Sequence, residues 1–122
     1  MASALLLRRR ALDEIGHFDE RFPLFFNDVD LCYRLKSAGW DVLYDPRVRV
    51  RHLGGASTRQ VRARAILLSH AGLRRFYAIH YRRQLAWPVY AGIVISIVLA
   101  GWARAATAWT VGRLRSGRAA PE

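Results

Sequence analysis

From Gln84 to Ala103 the chain carries no charged residue, and this stretch limits its possible folds more than any other. It is close to the ~20 apolar residues a helix needs to cross the hydrocarbon of a bilayer. Pro88 suits a first helical turn, where its missing N–H costs nothing. Trp87, Tyr90, Trp102 and Trp109 lie near the ends of the stretch. Amphipathic rings collect at such positions on a membrane surface. Arg82 and Arg83 precede it, and Arg104, Arg113, Arg115 and Arg118 follow, so the flanking charge leaves its orientation open. The competing reading is a buried helix of a soluble protein. A chain of 122 residues makes one small domain, with little core to cover such a helix. A re-entrant helix, or one lying in the membrane interface, stays open as well.

The charge is unevenly divided. Residues 1–45 hold eight acids and six bases, whereas residues 46–122 hold fourteen bases and a single acid, Glu122. The second half therefore suits an anionic partner: phospholipid head groups, a phosphorylated substrate or nucleic acid. Nucleic acid is set aside, because the arginines flank a hydrophobic span and no recognition module is visible. Cys32 is the only cysteine, so no disulfide forms within the chain, and a buried thiol in a reducing compartment is expected. Met1–Leu7 is too short an apolar run before Arg8, Arg9 and Arg10 to read as a signal peptide.

In chain order, Ala2–Leu7 is an apolar run of strand length, and Arg10–Ile15 reads as a short helix stopped by Gly16. A loop follows, with Phe18, Phe22, Phe25 and Phe26 as core anchors. Asn27 is a good helix N-cap, and Leu31, Cys32, Leu35 and Ala38 then recur at helical spacing up to Gly39, which suits a left-handed cap. Trp40–Tyr44 alternates and stops at Asp45-Pro46. Val48, Val50 and His52 alternate with Arg47, Arg49 and Arg51, which predicts a half-buried strand with a basic outer face. Residues 53–58 read as a glycine-rich loop, and Arg59–Arg83 as a long basic amphipathic helix.

Asp28-Val29-Asp30 invites reading as a metal clamp, but on a helix residues two apart point about 200° away from each other. The two acids are therefore different devices. Asp28 lies in the first turn on the apolar side, where the macrodipole is positive. Asp30 faces Arg34, four residues on, and is expected to form an exposed ion pair worth about 0.3–0.5 kcal/mol. The plainer alternative is that both are acids favoured by the dipole and nothing more.

Six pieces stand in one order: Leu5-Leu6-Leu7-Arg8-Arg9, Gly16 to Phe22, Asn27 to Arg34, Gly39-Trp40, Tyr44-Asp45-Pro46 and His52 to Ser57. Together, over roughly residues 3–83, they resemble the C-terminal half of family 2 inverting glycosyltransferases of the GT-A fold. The likeness is greatest to rhamnosyltransferase and galactofuranosyltransferase relatives. The resemblance implies an α/β fold, a partial GT-A half-domain over residues 1–58. A basic helix over 59–85 and an apolar helix with a basic tail over 86–122 follow it. It implies transfer of a sugar, rhamnose among the candidates, from a nucleotide-sugar donor to a polyprenyl-diphosphate-linked or glycan acceptor. Asp28 matches the family's catalytic base, and Asn27 stands where the family usually has Glu. His52 matches a histidine that helps hold a divalent ion, Mg²⁺ or Mn²⁺. Gly54, Gly55, Ser57 and Arg59 are candidate contacts to the diphosphate, since glycine lets a backbone approach an anion and hydroxyls and guanidinium groups donate to it.

The family's nucleotide-binding N-terminal half, with its Asp-x-Asp metal ligands, has no counterpart here. A separate N-terminal half is thus an expected partner, along with an anionic membrane at the cytoplasmic face of the cell. This fragment alone is expected to be inactive. The rival reading is a basic membrane-binding module without chemistry. That rival accounts for the charge and the apolar stretch, but not for Asp28 or the His52 loop.

Overall fold

The computed structural model of the chain describes residues 4–22, 24–51 and 62–116. It divides into two compact units, Met1–Gly54 and Gly55–Glu122. The described residues form four helices: α1 (Arg9–Ile15), α2 (Asn27–Ser37), α3 (Arg62–His80) and α4 (Trp87–Ser116).

In the first unit α1 packs on α2. Leu31 and Leu35, one turn apart, are buried against Ala11 of α1. Leu7, Leu12, Ile15 and Trp40 close around them. Burying a leucine side chain stabilises by about 1.5–3 kcal/mol, which makes Leu31 and Leu35 the centre of this small core. Gly16 ends α1 at φ +81. The end of α2 is a Schellman motif: the Trp40 N–H donates to the Leu35 carbonyl (3.0 Å) and the Gly39 N–H to that of Lys36 (3.1 Å). Gly39 takes φ +85, as expected of it. The motif folds Trp40 back onto Leu35, and the Trp40 indole N–H then reaches Glu14 Oε2 at 3.1 Å. Of the four aromatic anchors, Phe22 is buried, Phe25 and Phe26 are half-buried and Phe18 is exposed.

The second unit is an antiparallel helical hairpin. α3 ends in a cluster of rings, Phe76, Tyr77, His80 and Tyr81, with the Phe76 and His80 centroids 4.7 Å apart. Residues 81–86 turn the chain, and Gln84 caps α3 by donating its side-chain N–H to the His80 carbonyl (2.8 Å). Ile97, Gly101 and Ala105 are buried at successive turns of α4 and make its seam with α3. A Cβ on Gly101 would stand 3.0 Å from Cβ and Cγ of His70, so the helices meet closely because this residue is glycine.

The expected α/β fold is not what the structure has. Residues 4–8 and 40–51 are without ladder pairing, and no strand occurs among the described residues. Where it is described, the stretch 1–58 expected to be a GT-A half-domain therefore consists of α1, α2 and irregular segments. Alternating hydrophobicity states only a preference, because a strand exists when a neighbour takes its backbone N–H and C=O groups. Here Leu43 and Tyr44, each 87% exposed, have no face to pack on. The backbone hydrogen bond around Asp45-Pro46 is a turn, Val48 N–H to the Asp45 carbonyl at 3.3 Å.

Candidate active site

The first turn of α2 presents the candidate catalytic carboxylate. The residue flanking the helix is Phe26, in the left-handed region at φ 71, and Asn27 opens the helix one position later than its expected capping role. The Asn27 side-chain oxygen still serves a first-turn donor, accepting from the Asp28 N–H at 2.7 Å. A side chain at positive φ is uncommon and carries strain of order 1–3 kcal/mol. It turns the chain sharply just ahead of Asp28.

Asp28 is half-buried, with its Oδ1 shielded from solvent. The positive end of the helix favours its negative charge. Cys32 follows one turn later on the same side. Burial pushes its thiol up, and the Asp28 carboxylate pushes it further by disfavouring a second negative charge.

Asp30 is the better buried acid of the two, at 1% exposure, which corrects the expectation of an exposed pair. Its Oδ2 accepts from Arg34 Nε at 2.8 Å. The same guanidinium donates to the carbonyls of Ile15 (2.8 Å), Gly16 (3.4 Å) and His17 (2.7 Å). Arg34 therefore closes the C-terminus of α1, where a cation is favoured, and ties the 16–22 loop to α2. This clamp holds the base of the helix that carries Asp28. The sequence signalled the Asp30–Arg34 spacing but not the three carbonyls, which come together only when α1 packs on α2.

With Asp30 engaged by Arg34, Asp28-Val29-Asp30 does not make a metal chelate. Among the described residues no group of three His, Cys, Asp or Glu side chains gathers to hold an ion. His52, Gly54, Gly55, Ser57 and Arg59 lie outside the described residues. Asp28 is the one candidate residue whose surroundings are defined.

A family described as Glycosyltransferase like family 2 matches residues 2–68. Over 109 residues, 89% of the chain, it is 33% identical to a Mycobacterium tuberculosis protein. That protein, found in two strains, is named N-acetylglucosaminyl-diphospho-decaprenol L-rhamnosyltransferase. The chain is also 36% identical over 58 residues, 48% of its length, to the O-antigen biosynthesis protein RfbC of Myxococcus xanthus. The chain spans 30% of the length of the mycobacterial relatives and 4% of that of the myxobacterial one. No solved structure gives a significant match.

Proposed function

Because the chain belongs to the family 2 glycosyltransferases, we propose that it supplies the acceptor-side base for transfer of a sugar, with Asp28 as that base. The observation that carries the reading is a half-buried carboxylate in the first turn of α2, held in place by the Arg34 clamp. Asp28 takes the proton from an acceptor hydroxyl as that oxygen bonds to the anomeric carbon. The bond from that carbon to the nucleotide diphosphate breaks on the opposite face, and its electron pair leaves with the diphosphate. A single displacement of this kind inverts the configuration. The mycobacterial relative's name supports a rhamnosyl donor and an acceptor linked through diphosphate to a polyprenol.

His52 is the residue of this chain proposed to meet a divalent ion, Mg²⁺ or Mn²⁺, which would neutralise charge on the departing diphosphate. Gly54, Gly55, Ser57 and Arg59 are proposed contacts to the diphosphate. A basic anchor at the cytoplasmic face of the membrane fits the same activity, since α4 contains a segment, Trp87–Val111, long and apolar enough to cross a bilayer.

The test fuses the N-terminal region of a rhamnosyltransferase relative ahead of residue 2 and follows transfer and donor binding. Asp28→Asn is expected to abolish transfer while donor affinity stays within about twofold, since a general base contributes to the chemical step. Loss of donor binding would overturn the assignment of Asp28 to the acceptor side.

A further inference from the structure

The pairing of α3 with α4 bears on how the chain meets a membrane. We propose that the α3–α4 hairpin lies in the plane of one anionic leaflet, with neither helix crossing the bilayer. The proposal rests on the membrane reading above and specifies its geometry.

The helices are locked along their length by the Ile97, Gly101 and Ala105 seam and the contact of Gly101 with His70. Where α4 goes, α3 goes too. Among the described helices α4 alone is long and apolar enough to span. A spanning α4 would therefore draw in a partner that carries exposed Arg64, Arg74 and Arg75. Arg74 and Arg75 stand six and five residues before the end of α3, about 8 Å along the axis at 1.5 Å per residue. The turn, with exposed Arg82 and Arg83, would have to cross the hydrocarbon altogether. Ionised side chains at that depth are costly and need partners within the protein.

Lying flat removes the conflict. On α4 the exposed residues Ile95, Val98, Leu99 and Trp102 follow the i, i+3, i+4, i+7 spacing of one helical stripe. On α3, Arg64 and Arg75 are eleven residues apart, three turns, and share a face that excludes the buried Phe76. The hairpin thus has an apolar side for the acyl boundary and basic groups for the phosphates, the pattern of interface-bound helices. Between Asp45 and Glu122 the chain has no acid to oppose anionic head groups. Trp87, Trp102 and Trp109, all more than half exposed, are spread along α4, where a flat helix holds each indole at interface depth.

The experiment uses the full chain in sealed inside-out inner-membrane vesicles. Cys32→Ser removes the native thiol, and single cysteines are introduced as Gln84→Cys in the turn and Asp41→Cys in the first unit, both exposed positions. A membrane-impermeant maleimide is expected to label both equally from outside, without detergent. Labelling of Gln84→Cys only after detergent would mean that the turn has crossed, which overturns the in-plane hairpin while leaving membrane attachment intact. Recovery of the whole chain in the soluble fraction at low salt, before any wash, would overturn the attachment itself and the hairpin with it. A second measurement uses phosphatidylcholine vesicles with and without phosphatidylglycerol. The double variant Arg82→Gln/Arg83→Gln is expected to lose about fivefold in affinity per arginine for the anionic vesicles. Unchanged affinity would refute the role of the turn at the head groups.

Discussion

Arg34→Met is the sharpest probe of the scaffold beneath Asp28. The substitution keeps much of the stem and removes the guanidinium, and with it the ion-pair partner of Asp30 at 2.8 Å and four hydrogen bonds of 2.7 to 3.4 Å, leaving the more distant charge of Arg21 near Asp30. Asp30 is 1% exposed and Arg34 24%. The pair therefore belongs with buried ones, for which removing a single partner costs about 3–5 kcal/mol. The exposed-pair expectation from sequence was about 0.3–0.5 kcal/mol, so the two readings differ by an order of magnitude. Hydrogen exchange over peptides covering α2 measures the opening of this helix. At about 1.4 kcal/mol per tenfold, the buried clamp predicts exchange accelerated by at least about a hundredfold. The double variant Asp30→Asn/Arg34→Met is expected to exchange more slowly than Arg34→Met, because no charge is then left to bury. An acceleration below about threefold in the single variant would refute the clamp and return Asp30–Arg34 to the status of a surface pair.

Three further outcomes are expected. Cys32 should alkylate with a pH–rate midpoint above that of an ordinary thiol, and Asp28→Asn should lower that midpoint, since removing a neighbouring negative charge favours the thiolate; a midpoint unmoved by Asp28→Asn would place the two groups apart. Gly101→Leu should destabilise the hairpin by about 1–3 kcal/mol through overpacking against His70, and His70→Ala should restore part of the loss, both read from thermal melts followed by helical circular dichroism. In the fused enzyme His52→Ala should raise the metal concentration needed for half activity about 10–100-fold, and an unchanged titration would remove His52 from the ion.

The parts of the fold legible in the sequence were those set by local rules. Gly16 and Gly39 end helices because positive φ is open to them, and the spacing of Leu31 and Leu35 selects the face that meets α1. The uncharged stretch after Gln84 becomes the first part of α4. The strands were not legible correctly, because pairing is a property of two segments. Val42, Tyr44, Val48 and Val50 alternate as a strand would and stay exposed without one. For Asp28 the place in the first turn of α2 was legible, while its role as a base stays a proposal. The burial of Asp30 was not legible, since it depends on where α1 lies. Phe26 was not either, because no local rule assigns left-handed backbone to phenylalanine. The residues from His52 to Arg59 lie outside the described residues, and their grouping with Asp28 stays a proposal.

The left-handed backbone at Phe26 also bears on how the chain evolves. Glycine or asparagine at that position would relax the backbone but give up the packing of a half-buried ring, so folding alone sets two opposed terms against each other. Selection for stability acts on residue 26 through both strain and packing, whereas selection for the activity proposed for Asp28 acts through the shape of the helix opening. Comparing variants chosen for heat resistance with variants chosen for turnover would separate these two pressures at one codon. Phenylalanine retained in the second pool and lost from the first would show that the helix opening is tuned for the acceptor and not for the fold.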